Sequence, residues 1–339
     1  MKDQCVSLDS APFVDHEIDT TTAGRKIDAL FIPTHRAGPR TRERVAIAAS
    51  AAHNTWILPS RDAIGMATEL QGIPGLHVGI DLPIDDLQAW FLSLPSSQNP
   101  SVCYQRDYDL PLKRNVALHL SRLLGYERIC LLDDDIDITS QQICAGAAAL
   151  TLDSPLAGFR VFDFPDVSTT EHIHRLVLQQ PAATMPGGNC LFLMPSMISG
   201  WFPYAYNDDW LFILFNTMRN PGAALGTVRQ DAHVPWSDLT RVRFEEFGET
   251  IVRGLWPFLP ALDAADLLTN DYWRTALSER RRWLVDVATR THEPSYSGAL
   301  AAALDASGRV TVEECVAFVT VLQSNMREQL WIPGLPNHR

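Results

Sequence analysis

Asp133, Asp134 and Asp135 stand in a row, directly after the apolar run Ile129-Cys-Leu-Leu132. Adjacent carboxylates repel. At roughly 4 Å, two like charges cost about 1 kcal/mol in water and about 4 kcal/mol near a protein surface. A bound divalent cation removes that cost, and oxygen donors suit magnesium or manganese. Such an ion stabilises negative charge on phosphate oxygens as a Lewis acid. The bland alternative is a solvated acidic turn. Adjacent strand residues face opposite sides, so the three acids cannot serve one ion equally.

The acids need a frame. A short buried strand that stops at charge is how a central parallel strand delivers ligands to the carboxyl edge of a sheet. The preceding chain alternates accordingly. Residues 28–33 read as a strand ending in the loop Thr34-His-Arg-Ala-Gly-Pro39, where Thr34 and Arg36 offer two anion contacts. A helix over 40–53, a strand over 55–59 and a helix from a Ser60 cap to Leu70 follow. A strand over 76–80, a helix over 85–94 and a short strand at 102–104 come next. Val116, Leu120, Leu123 and Leu124 form one stripe of a helix over 112–124, and Gly125 ends it. This alternation predicts a mainly parallel sheet with helices on both faces.

Beyond Asp137 the pattern loosens. Thr139 caps a helix to Leu150, and residues 158–164 alternate as a strand. A helix over 170–179, the tight turn Pro186-Gly-Gly-Asn189 and a strand over 190–194 follow. Asn207-Asp-Asp209 precedes the apolar helix opening Trp210-Leu-Phe-Ile-Leu-Phe215, and residues 224–228 form a last strand. From Leu239 the chain reads as helices at 242–256, 260–268, 272–289, 297–304 and 311–330. The expected division is a lead-in over 1–26, an α/β domain over 27–236 and a helical region over 237–339. That last region is expected to shape one side of the site or a homodimer contact.

Composition narrows the classes. Of 339 residues, 46% are hydrophobic and 20% charged, as in ordinary globular proteins. A net charge of −12 argues against nucleic acid as a partner, which needs a basic surface. The six cysteines include no Cys-x-x-Cys pair, so neither zinc nor a disulfide framework is indicated. No apolar run spans a membrane, and the polar, acidic first 22 residues do not read as a signal peptide. A reduced, cytoplasmic setting is the expectation.

Four segments, in order, resemble glycosyltransferases of the GT-A type, closest to the inverting family 2. Lys113-Arg-Asn-Val-Ala-Leu118 resembles the family's Arg-Asn helix, and Leu131-Leu-Asp-Asp-Asp135 its metal-binding strand end. Pro186-Gly-Gly-Asn189 resembles its glycine turn, and Asn207-Asp-Asp-Trp210 its acidic helix opening. His233 resembles a late histidine that adds a metal contact in some members. The likeness covers residues 28–236. Where the family often has an acid after the second strand, this chain has Pro-Ser-Arg-Asp62, so Asp62 is the stand-in for nucleotide contact.

The resemblance implies a nucleotide-sugar donor, UDP- or GDP-linked, a Mn²⁺ or Mg²⁺ ion, and a hydroxyl acceptor. Asp135 becomes the direct metal ligand, with His233 as a second. Asp133 then faces sugar or ribose and Asp134 points elsewhere. Asp208 and Asp209 are candidate general bases, with Asp209 preferred; acids at that place also serve as helix caps. Arg114 and Lys113 can neutralise a diphosphate or lie on a solvated helix face. Gly187 and Gly188 allow close backbone approach to a ligand, or simply turn the chain. Trp201, Tyr204, Tyr206 and Trp236 offer an acceptor platform or core packing. Two other readings stay open: a sugar nucleotidyltransferase, and a non-catalytic nucleotide-binding scaffold. The first requires a Gly-rich loop, whereas residues 34–40 hold one glycine.

Overall fold

The computed structural model describes residues 13–16, 26–34, 38–60, 63–79, 84–104, 108–162, 167–179, 185–218, 220–258, 265–326 and 332. In chain order they form β1 (Phe13–Asp15), β2 (Ile27–Thr34), α1 (Pro39–Ala49), β3 (Ala52–Pro59), α2 (Ala63–Glu69), β4 (Leu76–Val78) and α3 (Ile84–Leu92). Then come α4 (Leu110–Leu123), β5 (Ile129–Leu132), β6 (Ile136–Asp137), α5 (Ser140–Ala149), β7 (Leu156–Phe162) and α6 (Thr169–Leu178). β8 (Cys190–Leu193), α7 (Asp208–Thr217) and β9 (Gly222–Gln230) complete the sheet region. The rest is helical: α8 (Leu239–Leu255), α9 (Asn270–Arg290), α10 (Pro294–Ser307) and α11 (Val312–Asn325).

One mixed sheet runs in the order β1-β9-β7-β8-β5-β2-β3-β4, and β6 pairs with β9 off this path. β4, β3, β2 and β5 are mutually parallel. β8 runs antiparallel to both of its neighbours, β5 and β7. The two-residue period of the strands divides the core. Leu30, Ile32, Cys130, Leu132, Cys190 and Phe192 face a cluster with α1, α2 and α5. Ala29, Phe31, Ile129, Leu131, Leu191 and Leu193 face the opposite cluster, with α3, α4 and α7. Both faces are therefore covered, which is why these strands read as continuous apolar runs rather than as alternation.

The C-terminal helices are not a separate body. Trp210, Leu211 and Leu214 of α7 share one core with Phe247, Ile251, Trp273 and Phe318. Ile173 of α6 shares another with Val242, Leu284, Val287 and Leu300. Among the described residues no helix is long and apolar enough to cross a membrane.

Two local expectations are corrected. Residues 100–103 form a 3₁₀ turn, not a strand: Pro100 opens it and the Asn99 side chain accepts the Ser101 N–H at 3.1 Å. The lead-in includes a strand, because Phe13–Asp15 pairs with Gly222–Ala224 at the sheet edge. The cap expected at Ser60 depends on residues 61–62, outside the described residues; the Ser60 hydroxyl donates to Asp109 Oδ1 at 3.2 Å.

Candidate active site

β2 and β5 end side by side, and the segment after β5 puts three carboxylates at that edge. Opposite them stand the turn before β8 and the first residues of α7. Between lies a cavity of about 620 Å³, within the range that holds a small-molecule ligand. Thr34, Arg114, Asp133, Asp134, Asp135, Asp208, Asp209 and His233 all line it. Gly187 and Gly188 lie immediately behind, against Asp209 and Arg114. Arg36 and Asp62 lie outside the described residues.

The three acids have different surroundings. Asp133 donates its backbone N–H to Asn189 O at 2.9 Å, and its carboxylate meets Arg114 at 3.5 Å. Asp134 accepts the Thr34 hydroxyl, so it turns toward β2. Asp135, 8% exposed, meets the Gln230 amide at 3.3 and 3.4 Å, one contact per oxygen. β9 reaches this point through its pairing with β6, and the Asp231 N–H donates to Asp135 O at 3.0 Å. Arg44 holds the same corner from α1. It grips Asp231 at 2.8 and 2.9 Å and Asp137 at 2.7 Å, and it donates to the Asp134 carbonyl at 3.3 Å. His233, two residues beyond Asp231, is thereby carried to the cavity.

The acids of α7 are not helix caps. Asn207 occupies the cap position with φ 61, a left-handed conformation that asparagine tolerates. Its side chain makes no cap bond and donates instead to Glu249 at 3.0 Å. Gly248 lets α8 come this close: a Cβ there would lie 1.9 Å from Tyr206 O. Asp208 is buried between the Arg114 guanidinium and the Tyr108 hydroxyl, each at 2.9 Å. Burial pushes Asp208 up to about 6, against the pull of Arg114; neighbouring Asp209 adds to the rise. Asp209 Oδ2 accepts the Gly188 N–H at 2.5 Å. Its other oxygen takes no hydrogen bond from the described residues and can be offered to a ligand.

Lys113 lies inside the protein, not on a solvated face. It is 2% exposed, and it reaches Asp109 at 3.2 Å, Thr34 O at 3.2 Å and the Ser60 hydroxyl. Burial lowers its pKa, and Asp109 opposes that shift. Arg114 lines the cavity with its charge shared between Asp208 and Asp133. Of the four candidate platform aromatics, Tyr206 lines the cavity. Trp201 and Tyr204 are core, and Trp236 packs on Tyr296 at 5.0 Å.

The donor chemistry fits a hard cation. Among the described residues no three His, Cys, Asp or Glu side chains form a ready-made cage. Magnesium-type ions at phosphate sites use one or two carboxylates, with water and ligand oxygens completing the shell. Asp135 and His233 both line the cavity and are the residues that could hold such an ion, the carboxylate as the hard donor.

Several lining residues escaped sequence reasoning: Tyr108, Asp109, Gln230, Arg241 and Phe244. Asp109 was findable, since its spacing of four from Lys113 is a helix ion-pair signal. Arg241 and Phe244 come from α8, beyond the expected domain boundary, and carry no local signal.

No protein-family model matches the chain, and no curated protein is significantly similar to it. The class defined by fold and site is therefore an α/β protein with an acidic cavity at the carboxyl edge of a mostly parallel sheet.

Proposed function

We propose that this protein is a metal-dependent glycosyltransferase of the GT-A type. It would move a sugar from a nucleoside diphosphate to a hydroxyl acceptor with inversion. One observation carries the reading. Segments spread from Lys113 to His233, each resembling a glycosyltransferase motif, meet on one cavity of ligand size or directly behind its wall.

In this reading Asp135 and His233 hold the cation, which would supply Lewis-acid stabilisation of the departing diphosphate. Asp133 faces the sugar or ribose. Thr34, in reach of Asp134, closes the donor side of the pocket. Asp209 is the base: its unengaged oxygen takes the proton of the acceptor hydroxyl as that oxygen attacks the anomeric carbon. The sugar–phosphate bond breaks on the opposite face, and the pair of electrons leaves with the nucleoside diphosphate. Asp208 does not serve as base, because Arg114 and Tyr108 occupy both its oxygens. Arg114 and Asp208 position Asp209.

Incubation with UDP- and GDP-sugars and Mn²⁺ should release free nucleoside diphosphate. Absence of both release and binding across these donors would overturn the assignment.

A further inference from the structure

β9 delivers one more polar side chain to the cavity. Its last residue, Gln230, pairs with Ile136 of β6, and Ile136 directly follows Asp135. Gln230 therefore stands beside Asp135, and both line the cavity with His233. Gln230 Nε2 lies 3.3 Å from Asp135 Oδ1 and 3.4 Å from Oδ2. Both distances exceed the usual N–H···O range of roughly 2.7–3.2 Å.

The other end of the amide has less. Gln230 Oε1 is shut off from solvent and accepts no hydrogen bond from the described residues. An enclosed amide oxygen without a partner is costly, and such groups in folded proteins are few. A purely structural amide would be better satisfied than this one.

Its chemistry fits another use. An amide oxygen is a hard, neutral donor of the kind that magnesium, manganese and calcium accept beside carboxylates. The terminal torsion of glutamine is broad and roughly two-fold. A half-turn about it exchanges Oε1 and Nε2 while the rest of the side chain stays in place. Oε1 then takes the position that Nε2 holds now, 3.3 and 3.4 Å from the two carboxylate oxygens. Neighbouring donors around an octahedral ion are spaced about 3 Å apart, close to this separation. Without a cation that orientation sets an oxygen dipole against a carboxylate, so the nitrogen faces Asp135 instead.

We propose that Gln230 is a third protein ligand of the cation, through Oε1, beside Asp135 and His233. The donor set is then a carboxylate, an imidazole and an amide oxygen. This deepens the metal-dependent reading of the site and rests on it.

Mn²⁺ alone, titrated into the full chain and followed by the electron paramagnetic resonance of the free ion, tests this. A second series includes UDP or GDP. Gln230→Met keeps the length without the amide and should weaken Mn²⁺ binding about tenfold or more. Gln230→Glu keeps an oxygen but donates no hydrogen bond, and should bind Mn²⁺ at least as tightly as wild type. Thermal melts separate a ligand from a structural amide. With chelator, Gln230→Met should melt as wild type does; only the rise produced by Mn²⁺ should shrink. Crystals soaked with Mn²⁺ should show the anomalous peak at bonding distance from Gln230 Oε1. Wild-type Mn²⁺ affinity in Gln230→Met overturns the proposal. So does a Gln230→Glu affinity as weak as that of Gln230→Met, since the amide N–H would then be the group that matters. A melt of Gln230→Met lowered equally with chelator and with Mn²⁺ overturns it too, as does a peak at Asp135 with the Gln230 oxygen out of reach. In each of these cases Mn²⁺ still binds, and the metal-dependent reading stands. If the wild type binds no Mn²⁺, with or without nucleotide, that reading fails and takes the ligand assignment with it.

Discussion

Asp209 Oδ2 accepts the backbone N–H of Gly188 at 2.5 Å, joining the first turn of α7 to the glycine turn before β8. The bond decides which acid is available. It engages one oxygen of Asp209 and fixes the other, whereas Asp208 has both oxygens in use. Two adjacent acids of identical chemistry are thereby given different surroundings, and in the proposed mechanism different tasks.

Asp209→Asn separates geometry from proton transfer. The amide oxygen can still accept the Gly188 N–H, so the fold and nucleotide binding should persist. With Asp209 as the proposed base, the substitution should lower transfer by roughly 10²–10⁴-fold. Steady-state rates alongside nucleotide affinity check this. A wild-type rate would move the base elsewhere.

Asp135→Ala should act on a different observable. It removes the candidate metal donor while leaving the Asp133–Arg114 and Asp134–Thr34 contacts in place. Nucleotide binding should become insensitive to Mn²⁺ and to chelator. Thermal melts with UDP or GDP, with and without Mn²⁺, read this directly. An unchanged metal-dependent shift would remove Asp135 from the site.

Gly188→Ala tests the close approach. A Cβ at this position would lie 2.6 Å from both the Arg114 guanidinium carbon and Asp209 Cβ. Overpacking of this kind costs about 1–3 kcal/mol. Denaturant unfolding should show that loss, and transfer should fall because Asp209 is displaced. Wild-type stability together with wild-type activity would mean the turn has slack that the structure does not show.

The sheet was readable in the sequence because strands buried on both faces appear as short, continuous apolar runs, as Ile129–Leu132 and Cys190–Leu193 do. Thr139 was readable as a cap because its side chain and Gln142 form a complete capping box. The placing of Asp133, Asp134 and Asp135 on a cavity was readable because charge directly after an apolar strand has few structural uses. What stayed hidden depends on tertiary approach. Lys113 looks like a surface lysine until Asp109, Ser60 and Thr34 O surround it. The Asn99-capped turn competes locally with the strand expected at Val102–Tyr104. Arg241 enters the cavity only because α8 packs on Tyr206 through Gly248, a contact between distant segments.

The Arg114–Asp208 pair should show strong coupling. Both side chains are nearly fully buried, so removing one leaves an uncompensated charge. Arg114→Met should cost about 3–5 kcal/mol. Adding Asp208→Asn should recover part of that, because the stranded carboxylate is gone. A double-mutant cycle by urea unfolding measures the coupling. Strict additivity of the two losses would show that the pair does not interact as drawn.

Acid stability should depend on Glu171, which joins α6 to α8. It pairs with Arg253 at 2.7 Å and Arg175 at 2.9 Å. Burial pushes this carboxyl up, but Arg253 and Arg175 together outweigh burial and hold it at about 2, below its ordinary 4.5. A lowered folded-state pKa means the ionised form stabilises the fold above about 4.5, and that this support is lost as pH falls toward 2. The shift corresponds to roughly 3 kcal/mol. Glu171→Gln should therefore be less stable than wild type at pH 7 by a few kcal/mol. The gap should narrow through the window between 4.5 and 2, where protonated glutamate comes to resemble glutamine. Unfolding curves at neutral pH and at several acid values follow the gap. A difference that stays constant down to pH 2 would show that Glu171 titrates alike in the folded and unfolded chain, and its pairs with Arg253 of α8 and Arg175 of α6 would then contribute nothing through charge.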